Sequence, residues 1–220
     1  MNIADNIDHF RKVLSKGVKL IAISKTKPTA DILEAYHAGH KIFGENKVQE
    51  LVDKYKALPK DIEWHMVGHV QSNKVKYMAP FVHLIHGIDR PKLFSVIDKE
   101  GRKNNRVIDV LMQFHIAAEA SKFGFSLQEA IDFIDSHYFE NFEFVKIKGV
   151  MGMATFTNDM EQVRSEFHKL TGMFQQLKST YFKHDPEFRE ISMGMSNDYQ
   201  IAIDEGATMV RIGSLIFGSR

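Results

Sequence analysis

One lysine ends an apolar run in a way that favours chemistry. Ile21, Ile23 and Lys25 alternate along the run Val18–Lys25, so a strand there carries two branched side chains and then an ammonium group on one face. A lysine in apolar surroundings loses hydration, its pKa falls, and the neutral amine becomes a nucleophile toward carbonyl groups. The pattern leaves open a second interpretation, in which Lys25 reaches solvent at the strand end. Lys27 is the poorer candidate because it stands before a proline, in an extended loop position.

Two turns rich in glycine and serine end the last two apolar runs. The first contains Gly194 and Ser196, and the second contains Gly213 and Ser214. Backbone N–H groups and hydroxyls at such turns bind anions, and the loops after strands seven and eight of a (β/α)8 barrel are the usual phosphate-binding place. The alternative is helix capping by Ser196 and a tight turn at Gly213. We favour the phosphate interpretation because two such turns occur at these two positions.

Two further polar residues lie where predicted strands end. Arg211 falls inside the last apolar run, and a buried guanidinium keeps its charge and needs an acceptor. That acceptor is either a carboxylate, such as Glu45 or Asp89, or an atom of a ligand. Asn46 either lines a site at the end of the second run or caps the helix that begins at Lys47. The sequence does not decide between these interpretations.

Four histidines in the third and fourth runs do not predict a metal site. His65 and His69 are four residues apart and could share a face, but a metal needs a third ligand and no carboxylate stands at useful spacing. His83 and His86 are more typical of hydrogen-bonded polar residues. We therefore expect no bound metal.

Eight short apolar runs alternate with amphipathic stretches, which is typical of parallel strands buried on both faces and joined by helices. The chain has 220 residues, so each of eight such units takes about 27, near the lower end for a (β/α)8 barrel. The runner-up is an open doubly wound sheet, but no G-x-G-x-x-G motif follows a strand. No linker divides the chain, so we expect one domain, 1–220. The eight runs are Val18–Lys25, Lys41–Asn46, Glu63–His69, His83–Asp89, Val107–His115, Val145–Ala154, Glu190–Ser196 and Met209–Phe217.

Composition excludes several classes of protein. Lys and Arg number 29 against 28 Asp and Glu, a net charge of +1, which argues against a nucleic-acid binder. The chain has no cysteine, which excludes disulfides, thiolate metal sites and a cysteine nucleophile. The N-terminus lacks the apolar region of a signal peptide, and no apolar run approaches the roughly 20 residues of a membrane span. We expect a cytoplasmic protein that does not bind membranes.

The lysine, the two turns and the arginine together fit one cofactor. Pyridoxal 5′-phosphate needs an amine for its aldehyde, an anion site for its phosphate and a partner for its pyridine nitrogen. A sugar-phosphate aldolase needs the first two of these and could use the third.

Five motifs in order along nearly the whole chain resemble the pyridoxal phosphate homeostasis protein family. They are Ala22–Pro28, Phe43–Asn46, Trp64–Lys74, Ser192–Ser196 and Val210–Gly213. The resemblance implies an α/β (β/α)8 TIM barrel of fold type III, similar to the N-terminal domain of alanine racemases, with an extra N-terminal helix. It implies an aldimine on Lys25, a pyridine nitrogen facing Arg211 and a pocket lined by Asn46. It places the phosphate on Gly194, Met195, Ser196, Gly213 and Ser214.

The resemblance also implies a protein that buffers or delivers the cofactor, with apo forms of cofactor-dependent enzymes as acceptors, and not an enzyme. An arginine beside the pyridine nitrogen keeps it unprotonated, which weakens the ring as an electron sink. The chain ends at Arg220 without a second domain, so we expect a monomer with an open site. The alternative is an amino-acid racemase-like enzyme, in which His65, His115 or a tyrosine supplies a second base.

Overall fold

Eight parallel strands close into a barrel in the computed structural model, which describes residues 2–119, 123–136 and 141–218. Each strand pairs with the next in chain order, and β8 pairs with β1. The predicted (β/α)8 barrel is therefore confirmed. The strands are β1 Lys19–Ile23, β2 Ile42–Glu45, β3 Glu63–Met66, β4 Leu84–Ile88, β5 Ile108–Phe114, β6 Val145–Gly152, β7 Glu190–Met195 and β8 Met209–Ile212.

Helices follow the strands, and one further helix precedes the barrel, as predicted. That first helix begins with a capping box, in which the side chain of Asn2 accepts from the backbone of Asp5 and the side chain of Asp5 accepts in return. Asn6 ties it to the last helix by donating to the carbonyl of Ile216 at 2.9 Å. The helices are α1 Ile3–Val13, α2 Thr29–His37, α3 Val48–Ala57, α4 Val75–Met78, α5 Pro91–Lys103, α6 Leu127–Ile134, α7 Met160–Thr180, α8 Tyr199–Asp204 and α9 Ser214–Phe217.

The barrel has two apolar layers because its strands are buried on both faces. One layer joins the strands to the surrounding helices. The other contains strand residues and fills the barrel interior, and its fully or nearly fully buried members are Ile21, Val67, Leu84, Leu111, Met151 and Met209. The second layer fixes which positions of each strand point inward.

Two apolar runs end earlier as strands than their composition indicates. β1 stops at Ile23 because the chain turns at once: Lys27 N–H donates to the carbonyl of Ser24 at 3.0 Å, and Thr26 has a φ of 64°. The last run splits into β8 and α9 at Gly213, whose carbonyl accepts the first backbone bonds of the helix. Lys25 therefore lies on a turn two residues beyond its strand.

Candidate functional site

A cavity of about 560 Å³ opens at the C-terminal ends of the strands. Its volume lies within the range of small-molecule and cofactor sites, and its position is where active sites of this fold occur. Seven of the eight residues that the sequence nominates line it, namely Lys25, Asn46, Met195, Ser196, Arg211, Gly213 and Ser214. The amine, the arginine and the two turns thus meet in one place.

The eighth nominated residue, Gly194, lies behind the cavity wall. It has a φ of +86°, and a Cβ atom there would come within 2.5 Å of the Cβ of Ala202 on α8. Only glycine fits such a position. Gly194 therefore allows β7 to turn closely against α8, and does not itself line the cavity.

Lys25 sits on a turn that buried polar groups brace from behind. Its neighbour Ser24 is fully buried and donates from Oγ to Glu45 Oε1 at 2.6 Å. Lys54 on α3 donates from Nζ to the carbonyl of Ser24 at 2.7 Å and to Glu45 Oε1 at 2.8 Å. Glu50 accepts from Lys54 at 2.7 Å and from the backbone N–H of Thr26 at 2.5 Å. We call Ser24, Glu45, Lys54 and Glu50 the bracing network.

Burial affects one member of this network strongly. Desolvation raises the pKa of Glu45 above its ordinary value, although Lys54 and Ser24 oppose the rise. Glu45 meets Ser24 and Lys54 through Oε1, whereas its buried Oε2 has no hydrogen-bond partner among the described residues. Arg211 donates to Ser192 and Gly152 instead, so Glu45 is not the carboxylate that the sequence offered to it. Asp89 is likewise engaged elsewhere, with His69 at 2.8 Å and with Arg90.

Lys27 lines the same cavity but is placed differently from Lys25. Its Nζ donates to the carbonyl of Phe217 at 2.9 Å, on the last turn of α9. This contact holds the side chain against the cavity wall. The choice of Lys25 over Lys27 stays a prediction.

Arg211 is a buried cation whose described hydrogen-bond partners are neutral. It is 4% exposed, and it donates to Ser192 Oγ at 2.7 Å and to the carbonyl of Gly152 at 3.0 Å. Desolvation lowers its pKa to about 10, so it stays charged at neutral pH. Because the same side chain lines the cavity, the remaining guanidinium N–H groups are available to an acceptor on a ligand.

A hydrogen-bonded chain of inward-pointing residues leads from Arg211 into the barrel. His86 Nδ1 lies 2.9 Å from Ser192 Oγ, and His86 Nε2 lies 2.9 Å from His65 Nδ1. Burial lowers the pKa of both histidines well below the ordinary value, so both rings are neutral. We call Ser192, His86 and His65 the interior relay. The sequence carried a signal for it, since His65, His86 and Arg211 each stand two residues from a residue of the inner apolar layer.

The two glycine- and serine-containing turns contact each other. Gly213 N–H donates to Ser196 Oγ at 3.4 Å, and a Cβ on Gly213 would lie 3.2 Å from the carbonyl oxygen of Ile23. Neither Ser196 nor Asn46 caps a helix, because α8 and α3 begin after Asp198 and Lys47 and show no side-chain cap. The capping alternative is therefore wrong for both residues.

Met195 contributes less to the predicted cradle than expected. Its backbone N–H donates to Asp198 Oδ1 at 2.5 Å, so this donor already has a partner. Its side chain is 38% exposed and forms part of the cavity wall.

Further residues that the sequence did not nominate also line the cavity, among them Gln113, Phe123 and Phe156. Phe123 stacks on the ring of His69, with centroids 4.6 Å apart, and its carbonyl accepts from Gln113 at 2.9 Å. Phe156 is 87% exposed at the rim. Phe123 and Phe156 lie in the loops after β5 and β6, where no periodic pattern marks a site, and Gln113 lies near the end of β5. Of the tyrosine, His65 and His115 alternatives for a second base, none is among the described residues that line the cavity.

Within residues 2–119, 123–136 and 141–218, none of the helices combines the length and the apolar character that a membrane span requires.

Comparisons with known proteins agree with this architecture. The model of the alanine racemase N-terminal domain family matches residues 1–220. The chain is 42% identical over 203 residues to the pyridoxal phosphate homeostasis protein of Aquifex aeolicus, covering 92% of this chain and 87% of that one. It is 35% identical over 207 residues to the Escherichia coli protein of the same description, covering 92% and 86%.

Solved structures show the same fold. PipY of Synechococcus elongatus, solved with PLP bound, superposes with a TM-score of 0.89 at 30% identity, covering 99% of this chain and 100% of that one. Alanine racemase from E. faecalis superposes with a TM-score of 0.72 at 15% identity, and the match covers 99% of this chain but 58% of the racemase. The second likeness concerns the barrel fold alone.

Proposed function

This chain belongs to the alanine racemase N-terminal domain family, among its pyridoxal phosphate homeostasis proteins, and from that membership we propose that it binds pyridoxal 5′-phosphate in the cavity at the C-terminal ends of its strands. Lys25 holds the cofactor through a reversible Schiff base. The protein buffers the cofactor or delivers it to apo-enzymes. The observation that carries this proposal is the meeting of Lys25, Arg211 and both glycine- and serine-containing turns in one cavity.

The donor set fits this cofactor. A guanidinium only donates hydrogen bonds, so the ligand atom facing Arg211 must be an acceptor, and an unprotonated pyridine nitrogen is one. The Ser196 and Ser214 hydroxyls and the small Gly213 stand on neighbouring loops, where a phosphate fits without a side chain in its way. When bound, the cofactor supplies an aldehyde that exchanges between amines. The protein orients it and holds its phosphate and its pyridine nitrogen.

The carrier role is favoured over turnover by the same arginine. A cation beside the pyridine nitrogen opposes protonation of the ring, and an unprotonated ring stabilises carbanions poorly. The relatives reported above are named for cofactor homeostasis and not for a reaction. The Schiff base can then form and reverse without commitment to chemistry at an amino-acid Cα.

One observation keeps the racemase-like alternative in view. His69 lines the cavity, and its Nδ1 lies 2.8 Å from Asp89 Oδ2. A histidine oriented by a carboxylate is a common form of general base. It replaces His65 and His115 as the residue on which this alternative depends.

The linkage is tested by reduction and peptide mapping. The purified chain is mixed with the cofactor, reduced with borohydride and digested, and the labelled peptide is sequenced by mass spectrometry. We expect the label on Lys25, and we expect Lys25→Ala to lose both the label and the visible absorption band of the Schiff base. Lys27→Ala is the matched control, because Lys27 lines the same cavity, and it should keep both. A label on Lys27, or an unlabelled wild type, contradicts the proposal.

A further inference from the structure

Three side chains with metal-ligating groups meet at the N-terminal end of the barrel. Glu63 begins β3, His65 lies two residues further along, and His83 directly precedes β4. One ligand atom from each lies within 4.8 Å of the others, and His83 Nε2 is 3.5 Å from Glu63 Oε2. None of these three described side chains lines the cofactor cavity, which opens at the opposite ends of the strands.

His65 has one ring nitrogen that lacks a partner. Its Nδ1 faces His86 Nε2 at 2.9 Å, whereas its Nε2 is buried and has no hydrogen-bond partner among the described residues. The residue is 2% exposed, so water does not readily serve the orphaned atom. Buried polar groups are nearly always satisfied, and an exception calls for an explanation. Histidines that bind metals show this same division, with one nitrogen on the metal and the other in a hydrogen bond.

We propose that Glu63, His65 and His83 form a site for Zn²⁺, with water as the fourth ligand. Two histidines and one glutamate are a known three-ligand set for this metal. Tetrahedral geometry with metal–ligand distances of about 2.0–2.1 Å places ligand atoms about 3.4 Å apart, close to the separation of the Glu63 and His83 atoms. The rings of His65 and His83 are nearly parallel, with centroids 5.4 Å apart. The side chains of Glu63 and His83 are half-exposed, so they can move the short distance that brings all three ligand atoms to the metal.

The charges around the site favour a divalent cation. Two lysines interact electrostatically with the site, Lys19 with His65 and Lys41 with Glu63. Each is already paired with another carboxylate, Lys19 with Glu190 and Lys41 with Asp61, both at 2.6 Å. Glu63 has no salt bridge to a lysine or arginine within the described part of the chain. The carboxylate of Glu63 therefore gives the site a net negative charge. His65 also keeps a fixed orientation, because the interior relay holds its other nitrogen.

The prediction of no metal considered His65 with His69 and passed over Glu63, which stands two residues before His65. Glu63 and His65 alternate on one strand, but His83 is far along the chain and reaches them only through strand pairing. Its backbone N–H donates to the carbonyl of Trp64 at 2.8 Å, which sets the register between β3 and β4. That register brings the third ligand to the first two.

The test is a titration of the untagged chain, stripped with a chelator, with Zn²⁺ alone by isothermal calorimetry. We expect one ion per chain. His83→Ala and Glu63→Gln each change a half-exposed side chain, and each should weaken Zn²⁺ binding by roughly tenfold or more. Loss of a hydrogen-bond partner behind a ligand already costs about that much, so loss of a ligand should cost at least as much. Co²⁺ should give the visible absorption of a tetrahedral site in wild type and lose it in both variants.

His168→Ala is the matched control. His168 also contacts a glutamate, with Nδ1 at 3.0 Å from Glu205 Oε2, but the described residues provide no third ligand there. This variant should bind Zn²⁺ like the wild type. The proposal is overturned if the wild type shows no saturable Zn²⁺ site, or if His83→Ala and Glu63→Gln bind Zn²⁺ as tightly as the wild type. It is also overturned if His168→Ala loses as much Zn²⁺ affinity as those two variants. The proposal does not rest on cofactor binding, so Lys25→Ala should also bind the ion normally.

Discussion

Arg211 pays a desolvation cost that its neutral partners only partly offset. A guanidinium taken out of water is stabilised fully only when its charge is matched or its donors are all used. Ser192 Oγ and the Gly152 carbonyl use two donors, and the side chain still faces the cavity. Under the proposed function, Arg211 completes its hydrogen bonding with a ligand atom, and that atom must be an acceptor.

Ser192 can accept from Arg211 only if its own hydroxyl is suitably directed. His86 Nδ1 at 2.9 Å is the neighbour that directs it. An asparagine at position 86 keeps a polar atom near the Nδ1 position, whereas a glutamine places its amide near the Nε2 position, toward His65. We expect His86→Gln to lower affinity for the cofactor by about 1 kcal/mol, roughly fivefold in Kd, and His86→Asn to lose less.

Absorption titration at matched temperature measures this difference. A cofactor analogue in which carbon replaces the pyridine nitrogen serves as the control ligand, because it has no acceptor for Arg211. The difference in affinity between His86→Gln and His86→Asn should disappear when that analogue is the ligand. An equal loss in both variants with both ligands would mean that His86 has only a packing role.

Ser196 offers a second test at the residue scale. Its hydroxyl lines the cavity and accepts from Gly213 N–H at 3.4 Å, a long bond that leaves the oxygen free to reorient. Ser196→Ala should weaken binding of the phosphorylated cofactor by about 1 kcal/mol, or more if a charge-assisted bond is lost. Binding of pyridoxal without its phosphate should not change. If pyridoxal binds wild type as tightly as its phosphate ester does, these loops are not the anion site.

Helix α3 acts on the site without touching it. Lys54 lies on its buried face and joins the end of β2 to the turn that carries Lys25, through Glu45, Glu50 and the carbonyl of Ser24. A strand, a turn and a helix are thus tied by one ammonium group. Rigid elements of this kind hold reactive groups more accurately than loops do.

Lys54→Met tests this brace. Removing one partner of a buried ion pair leaves the other charge unmatched, which costs about 3–5 kcal/mol. Denaturant unfolding at pH 7 should show that loss, and Lys56→Met, an exposed change on the same helix, should show little. Glu45→Gln in the Lys54→Met background should restore part of the stability, because the unmatched charge is then absent.

The pH dependence of that loss has a definite sign. Burial raises the pKa of Glu45, so its protonated form is favoured in the folded state, and its ionisation costs stability as the pH rises through the folded pKa. Without Lys54 that pKa rises further. The deficit of Lys54→Met should therefore shrink as the pH is lowered from about 7 toward 5. A deficit that grows on acidification would show that Glu45 is not the destabilised group.

At the scale of the whole molecule, the barrel was predictable because its strands are uniformly apolar and regularly spaced. The residues at which individual strands end were not predictable. The apolar run extends to Lys25, but the strand ends at Ile23 because the chain turns through a left-handed backbone conformation at Thr26. Threonine has no preference for that conformation, so its sequence position does not predict the turn. Glu45 and Lys54 look like ordinary charges until β2 and α3 pack together. Lys25 and Arg211 were predictable because Lys25 ends an apolar run and Arg211 falls inside one, and both are local signals.

The proposed carrier role depends on the open end of the barrel. The cavity lies at one end of the barrel, and Phe156 at its rim is 87% exposed, so the proposal predicts that a cofactor held there is accessible to amines and to acceptor proteins. Incubation of the loaded protein with L-alanine in deuterated water, followed by NMR, should show no Cα exchange at an enzymatic rate. A mixed incubation with an apo-enzyme should restore that enzyme's activity.

Turnover of roughly 1 per second or faster would instead support the racemase-like alternative. That alternative has its own consequence, because it depends on His69 as the base held by Asp89 at 2.8 Å. His69→Ala would then abolish exchange while leaving the Schiff base intact. If the protein is a carrier, the same variant should load and transfer the cofactor with little change, since Lys25, Arg211 and the serine turns remain. The two outcomes for this one variant separate a protein that holds the cofactor from one that uses it.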